Sequence, residues 1–452
     1  MNVTLPQEPK SEHALEVART LMRAGHRALL AGGAVRDLVL GLIPQDYDIA
    51  TNAVPQQVQA LFPRTVAVGA AFGVVRVVTE AGDVEVATFR RDLGYLDGRH
   101  PAGVEFSDEI EDARRRDFTI NALLLEPASA TVLDYVGGLD DLAAHRLRAI
   151  GDPAQRFGED ALRLLRAVRF AARFELEIDA TTWQALVRLS PTIGRVSAER
   201  VRDELLKILV ERHRRRALEL LHTSGLLAQV LPELAACEGV EQPPEFHPEG
   251  DVLTHTFLMA DLLQPDPSAE LALAVVLHDI GKPPTFSRSD RIRFNRHAEV
   301  GAEMALTVCK RLRLSRLSTE RVVELVRHHL RFKDVRKMRP ATLKRFLRME
   351  GFQEHLELHR VDCLGSHGLL EHYHFCREKL EEFQRSEASA GLRPPRLLDG
   401  DDLIAAGYRP GPQFKEMLAY LEELQLEGRL TTREQALEAV RQRFGSAVRG
   451  DA

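Results

Sequence analysis

The segment "LAGGAVRDLVLGLIPQDYDIATNA", residues 30–53, sets two adjacent glycines, an arginine and two spaced carboxylates in one short span. It continues "RALLAGG" (27–33), which reads as a short strand. A Gly32-Gly33 turn between strand and helix lets backbone N–H groups approach a phosphate, and the helix N-terminus favours an anion. Arg36, one turn further in, has a fork that suits a triphosphate. Asp46 and Asp48 flank Tyr47, so on an extended segment both side chains share one face. Two such carboxylates suit Mg²⁺, and paired Mg²⁺ ions suit an in-line phosphoryl displacement. The stretch therefore predicts a nucleotide site with Asp46 and Asp48 as metal ligands.

Working outward, "GVVRVVTE" (73–80), "DVEVATFRR" (83–91) and "ATVLDYV" (130–136) also read as strands, and "PQQVQALF" (55–62) as a helix opened by proline. From about Pro153 the strand text stops. "QRFGEDALRLLRAVRFAARF" (155–174) and "SAERVRDELLKILVERHRRRALELLHTSG" (197–225) repeat apolar residues at helical spacing. Breaks at 237–251 and 386–402 separate a histidine-rich helical part and a last helical segment. The expected fold class is α+β: a small mixed-sheet head, then all-helical neck, body and histidine-rich domain. The expected bounds are 1–145, 146–240, 245–385 and 386–452.

Two further motifs sharpen the chemistry. In "RRRDFTINAL" (114–123), Arg115 and Arg116 supply donors, and Asp117 and Asn121 lie one helical turn apart, a group suited to a ribose. In "GEDALRLLRAVRF" (158–170), Asp160, Arg163, Arg166 and Arg169 recur every three residues. A carboxylate beside a guanidinium matches the edge of cytosine or adenine, each an amino donor next to a ring-nitrogen acceptor. Guanine and uracil present the reverse order and leave charged partners unsatisfied, a rejection of roughly 10⁴-fold in a site built that way.

GGxVRD with DxD, RRDxxxN and EDxxR, in this order, resemble the class II tRNA nucleotidyltransferases of the polymerase-β superfamily, the CCA-adding enzymes. The resemblance spans roughly residues 25–225. It implies that Gly33 and Arg36 contact the incoming CTP or ATP and that Asp46 and Asp48 bind catalytic Mg²⁺. Arg116 takes the ribose and phosphate side, Asp160 and Arg163 act as a protein template, and Arg166 and Arg169 meet the triphosphate. "GRVSAERVRDELLKIL" (194–209) is similar to a supporting motif. The loop "RRDLGYLDGRHPAGVEF" (90–106), with Gly94, Gly98, Gly103 and an Asp97-Gly98 turn, resembles the mobile element that a switch from C to A requires. A CC-only enzyme is thereby disfavoured, while an A-adding specialist stays open. "VAVGAAFGVVRVV" (66–78) looks more like the CCA-adding branch than the poly(A) polymerase branch.

Within the helical second half, "HTFLMADLL" (255–263), "LHDIGKP" (277–283), "NRHAEVGAEMA" (295–305) and "HRVDCLGSHG" (359–368) present His255, His278, Asp279, His297 and Asp362. Such a set can converge on a divalent cation that activates water. HDIGKP with these partners resembles the HD phosphohydrolase superfamily, which implies a Mn²⁺, Ni²⁺ or Mg²⁺ site and phosphatase or 2′,3′-cyclic phosphodiesterase activity. His328, His329 and Lys282 are candidates for a second metal or for phosphate. A nucleotide-signalling enzyme that joins similar modules is the rival reading, although it would not need Asp160 beside Arg163.

The bulk properties agree with this reading. The chain has 452 residues, a net charge of −6 and 28% charged residues, so several soluble domains are expected and no overall nucleic-acid charge signal. Basic residues gather locally, and Arg195, Arg200, Arg202, Arg212, Arg214, Arg215 and Arg216 are the candidate RNA stripe, serving tRNA by shape and phosphate contacts. Four scattered cysteines exclude a disulfide framework or zinc ribbon. No apolar run is long enough for a bilayer. A cytoplasmic location without membrane or obligatory protein partner is expected.

Overall fold

A computed structural model describes residues 1–69, 73–80, 82–95, 101–245, 247–385, 392 and 394–445. The chain divides into two compact units, Met1–Ala236 with Val308–Leu314, and Cys237–Thr307 with Ser315–Ala452.

The first unit opens on a helix, Pro9–Arg23, and a mixed seven-stranded sheet. Its strands are β1 (Ala28–Ala31), β2 (Asp48–Thr51), β3 (Thr65–Gly69), β4 (Val74–Thr79) and β5 (Gly82–Thr88). After the hairpin strands β6 (Arg90–Tyr95) and β7 (Pro101–Phe106) come β8 (Leu124–Glu126) and β9 (Thr131–Leu133). The sheet order is β3-β4-β5-β2-β1-β8-β9. Only β2 and β5 run parallel, with Asp48 opposite Glu85. All four residues of β1 are buried, as expected of a central strand covered on both faces. The 90–106 segment, expected as a loop, forms the arms of an antiparallel hairpin that pairs Arg90 with Phe106 and Leu93 with Gly103. Its Asp97-Gly98 turn lies outside the described residues.

Strands persist beyond the head. β10 (Arg146–Leu147) pairs in parallel with β11 (Glu177–Ile178) within the otherwise helical neck. The 155–174 pattern is two helices, Pro153–Glu159 and Leu162–Arg173, because Asp160 adopts extended backbone at φ −150°, ψ 103°. The 197–225 pattern is likewise broken, into Ala198–Val210 and Arg214–Thr223, with extended Glu211 ending the first helix. Helical periodicity survived both interruptions, which is why the sequence pattern alone did not show them.

Among the described residues, the second unit is helical apart from a short hairpin, β12 (Phe286–Arg288) with β13 (Ile292–Phe294). Phe332, Phe346, Phe352 and Leu356 belong to one of its cores. Three helices within 400–444 form a smaller core around Leu403, Met417 and Leu421. Among the described residues, no helix is long and apolar enough to cross a membrane. Gly281 shows how tightly the histidine-rich helices meet: an added Cβ would collide with the carbonyl of His297 and lie 2.6 Å from the N of Gly301. Gly281→Ala is expected to destabilise this unit by about 1–3 kcal/mol, read from denaturant unfolding, because backbone rather than a flexible side chain must yield.

Candidate functional sites

In the head, alternation brings Asp46 and Asp48 to the surface on either side of buried Tyr47. The sheet adds a third carboxylate, Glu85, opposite Asp48 on β5. Desolvation by the surrounding head, then the charges of Glu85 and Asp46, push the Asp48 carboxyl up to about 6, with Arg116 opposing. Crowded acids of this kind are the donor set a hard divalent cation relieves, so the residues present suit such an ion. Glu85 escaped the sequence reading because it stands alone in "DVEVATFRR" and only the strand register brings it to Asp48.

Gly32, the first of the glycine pair, has a structural role of its own. The N–H of Gly32 donates to the carbonyl of Leu123 at 3.1 Å. Its φ is +69°, and a Cβ there would sit 2.8 Å from Nη1 of Arg116. Gly32 therefore supplies left-handed backbone and room for an arginine next to the carboxylates. Arg115 and Arg116 both donate to buried Asp112, at 2.8 and 3.1 Å, which fixes them at the end of their helix.

Arg36 points inward. It is 4% exposed. Its guanidinium donates to Asp37 at 2.9 and 2.7 Å and to Oδ1 of Asn121 at 2.5 Å, and lies over the Phe174 ring at 4.3 Å. Asn121 in turn donates to Asp117 at 3.0 Å, so its amide bridges two buried charged groups. The 114–123 stretch is not one helix: it leaves the helix after Arg114 and makes a 3₁₀ turn over Thr119–Asn121. Asp117 and Asn121 meet through that turn rather than through helical spacing.

The helix Leu162–Arg173 completes the network. Arg166 binds Asp117 at 2.8 Å. Arg169, expected at the triphosphate, is buried and binds Glu204 at 2.6 Å, because its place on the helix faces the neighbouring helix Ala198–Val210. At the break before this helix, both oxygens of Asp160 accept from Arg200, at 3.1 and 2.7 Å. Arg163 donates through Nη1 to Glu159 at 2.7 Å and to the carbonyl of Arg156 at 2.8 Å. The two residues expected to read a base thus sit together at one helix start, each held by a neighbour. Oδ1 of Asp160 also accepts from the N–H of Leu162 at 3.1 Å, and since a carboxylate has about four lone-pair sites, Asp160 retains acceptor capacity beyond these three bonds.

The expected RNA stripe is largely occupied with structural work. Arg214 is buried, its guanidinium on the carbonyls of Leu209 at 3.0 Å and Val210 at 3.4 Å, groups that end a helix without intrahelical partners. Arg216 binds the carbonyl of Leu176 and the carboxylate of Glu177 at 2.9 and 2.7 Å. Arg200 is committed to Asp160, and Arg202 to Asp203 at 2.8 Å. Arg212 is exposed, and Arg215 is exposed beside Glu219.

In the second unit, the histidines and aspartates converge. The ligand atoms of His255, His278 and Asp279 lie within 4.8 Å of one another, as do those of Asp279, His297 and His329. Asp362 stands 3.3 Å from Nε2 of His255. Nδ1 faces a backbone carbonyl in His278 (Val275, 2.8 Å), His297 (Phe294, 2.8 Å) and His329 (Val326, 2.6 Å). Such bonds fix the tautomer that leaves Nε2 as a lone-pair donor. Nε2 of His278 and His297 and Oδ1 of Asp279 are buried without hydrogen-bond partners, while Nε2 of His255 faces Asp362. Buried unpaired acceptors are costly, and divalent cations are the groups that satisfy this set. Glu249, absent from the sequence reading, lies 2.6 Å from Nδ1 of His255. Burial opposes charge on His255, but the carboxylates of Asp362 and Glu249 outweigh it and raise its pKa to about 9. Lys282 is buried, 2.6 Å from Asp279 and from Gln242, so it neutralises the aspartate.

Residues 28–148 match the family model of the poly A polymerase head domain. Residues 175–238 match one described as a probable RNA and SrmB-binding site of polymerase A, and 251–357 match the HD domain. Asp160 and Arg163 lie between the first two spans, and Asp362 lies beyond the third. A CCA-adding enzyme of Bacillus licheniformis is 41% identical over 48% of this chain and 55% of its own length. One from Anoxybacillus flavithermus is 43% identical over 49% and 56%. The chain spans about half the length of the curated relatives it matches. The solved structure of the Bacillus stearothermophilus CCA-adding enzyme in complex with CTP has a TM-score of 0.73 at 27% identity, covering 97% of this chain and 99% of that one. A Thermotoga maritima CCA-adding enzyme complexed with tRNA, 20% identical with a TM-score of 0.59 over 97% and 96%, shares the fold.

Against the upward push of burial, Arg166, Asn121 and the N–H of Phe118 hold the Asp117 carboxyl down at about 2. A depressed acid contributes stability that is present above its unfolded pKa and lost as pH falls through the folded one. Asp117 is expected to contribute roughly 2–3 kcal/mol at neutral pH. Unfolding free energies of the wild-type and Asp117→Asn proteins should therefore differ most above pH ~4, with that difference shrinking toward pH ~2.

Proposed function

We propose, from the match of residues 28–148 to the model of the poly A polymerase head domain, that this chain adds CMP and AMP from CTP and ATP to the 3′ end of tRNA. The observation that carries the reading is the pair Asp160 and Arg163, held at one helix start in the unit that also bears Asp46, Asp48 and Glu85. The Bacillus stearothermophilus CCA-adding enzyme, which aligns over 97% of this chain, is solved in complex with CTP, which supports the same substrate class here.

In this reading Asp46 and Asp48, with Glu85, hold Mg²⁺. When bound, that ion neutralises charge on the attacking and leaving oxygens. Arg116, beside the carboxylates, takes the phosphate side, with Arg115 next to it. Asp160 accepts from the exocyclic amino group of cytosine or adenine, and Arg163 donates to the ring nitrogen. Arg200 and Glu159 keep both groups in place, while Arg166 faces the nucleotide from the same helix. The tRNA hydroxyl attacks the α-phosphorus, the bond to pyrophosphate breaks, and one nucleotide is added. Exposed Arg195, Arg212 and Arg215 are the remaining phosphate contacts of the expected stripe, and their affinity should fall with salt.

The second unit carries a metal-dependent phosphohydrolase in this proposal, with His255, His278, Asp279 and Asp362 on one cation and Asp279, His297 and His329 on a neighbouring one. When bound, the cations make a water nucleophilic near neutral pH. Mn²⁺, Ni²⁺ and Mg²⁺ are the candidate ions.

Incubation of tRNA lacking its 3′ end with each labelled nucleoside triphosphate tests the head. Two CMP followed by one AMP are expected, with neither UMP nor GMP. Asp48→Asn should slow addition by more than about 10³-fold, several kcal/mol of charge stabilisation being lost. Addition of AMP only after a pre-formed CC end would make the protein an A-adding specialist, and long A tails a polymerase. No tRNA product would overturn the proposal in favour of nucleotide signalling.

A further inference from the structure

The carboxylates of the head lie on a segment that another element grips from both sides. Lys10, in the first turn of the helix Pro9–Arg23, donates from Nζ to the carbonyl of Gln45 at 2.6 Å. Glu8, at the N-cap of that helix, accepts from the hydroxyl of Tyr47 at 3.0 Å. Asp46 stands between the two pinned residues. We propose that this helix start is a clamp on the segment Gln45–Tyr47, with Glu8 and Lys10 as positioning residues for Asp46. The proposal rests on the reading of Asp46 and Asp48 as the metal-binding pair. Glu8 and Lys10 themselves precede the span 28–148 that the head-domain model matches.

Asp46 needs such a hold. Its side chain is 87% exposed. Beside it lies a cavity of about 110 Å³, lined in part by Lys10, His13 and Asp83, so an unrestrained carboxylate has room to turn away from Asp48. A hard divalent cation takes its oxygens at set distances, and misplacing a reacting group by about 1 Å can cost roughly 10²-fold in rate. The clamp fixes residue 45 through its backbone and residue 47 through its side chain. Asp46 is left with only its own side-chain rotations.

The clamp has a firm base. Ala14, Val17, Ala18 and Leu21 bury the inner face of the helix, and Nδ1 of His13 lies 3.1 Å from the hydroxyl of Thr79 on β4. Tyr47 is buried as well, so its hydroxyl reaches Glu8 from a seated ring. Stability alone does not account for the arrangement. Nζ of Lys10 is 3.7 Å from Oδ1 of Asp46, and both side chains are more than half exposed, a kind of pair that contributes little to folding. The bond from Lys10 to the Gln45 carbonyl is shorter and charge-assisted, so the lysine holds chiefly the backbone next to the ligand. In this reading neither Glu8 nor Lys10 touches the nucleotide. Each acts through Asp46.

The test uses the full-length protein, with Mn²⁺ calorimetry in the absence of nucleotide and CMP addition to tRNA lacking its 3′ end. The Mn²⁺ site of the head is the one that Asp48→Asn removes, which separates it from the histidine cluster. Tyr47→Phe deletes only the hydroxyl that Glu8 holds, and should weaken that site by about fivefold or more. Tyr47→Phe and Lys10→Met should each lower kcat about tenfold, while KM for CTP stays within about twofold of wild type. Lys10→Arg and Glu8→Gln keep a donor and an acceptor in place, and their kcat should stay within about threefold of wild type. Arg23→Gln, at the far end of the same helix beside Glu16, should change nothing. A fall in kcat matched by an equal rise in KM and a lower unfolding midpoint would mark a merely structural contact and overturn the proposal. Unaltered Mn²⁺ affinity in Tyr47→Phe, with unaltered kcat in both Tyr47→Phe and Lys10→Met, would overturn it too and leave the metal-binding pair standing. If Asp48→Asn removes no Mn²⁺ site and leaves addition unchanged, the reading of that pair fails and the clamp falls with it.

Discussion

The first unit depends on a ladder of guanidinium groups against two phenylalanine rings. Arg36 from the head and Arg166, Arg169 and Arg173 from one helix lie over Phe170 or Phe174 at centroid distances between 4.3 and 5.2 Å. Each cation is matched by an acid: Asp37, Asp117, Glu204 and Glu211 respectively. For the two buried pairs, Arg36–Asp37 and Arg169–Glu204, removing one partner typically costs about 3–5 kcal/mol, because the other charge is stranded. The ladder joins the sheet to the helix that begins at the Asp160–Arg163 pair.

That ladder also explains which parts of the site were legible in the sequence. A strand followed by GG, a helix and DxD follows from local rules, and the structure has that order with β1, the turn at Gly32 and β2. The arginines did not sort themselves. Spacing says that Arg36, Arg166 and Arg169 can share a phosphate, but not that Arg36 and Arg169 face aromatic rings and acids in the interior. Arg214 misleads in the same way: in "ERHRRR" it resembles a basic patch, yet its fork closes the end of the preceding helix. Glu85 and Glu249 had no motif around them, and only sheet register and tertiary packing bring them to Asp48 and His255. The break at Asp160 was hidden because apolar periodicity continues on both sides of it.

The two candidate metal centres solve opposite electrostatic problems. Asp46 and Asp48 are solvent-facing acids that repel one another, so a cation there relieves charge while leaving room for substrate. The His278–Asp279–His297 group is buried, with both histidines oriented by backbone carbonyls and with their Nε2 atoms and Oδ1 of Asp279 unpaired. In that dry setting preorganisation rather than net charge defines the site, and the buried Lys282 balances Asp279 from behind. Both centres follow from the rule that buried or crowded acceptors need a partner, met once at the surface and once in the interior.

Selection between bases is the step on which the functional account stands. A carboxylate and a guanidinium, fixed by Arg200 and Glu159, present a pattern complementary to cytosine and adenine and mismatched to uracil and guanine. Relative incorporation of CTP against UTP, and of ATP against GTP, onto tRNA by the wild type and the Asp160→Ala/Arg163→Ala variant measures it most directly. The account predicts discrimination of the order of 10⁴ in the wild type, collapsing toward unity in the variant. Discrimination that survives the double substitution undiminished would contradict it.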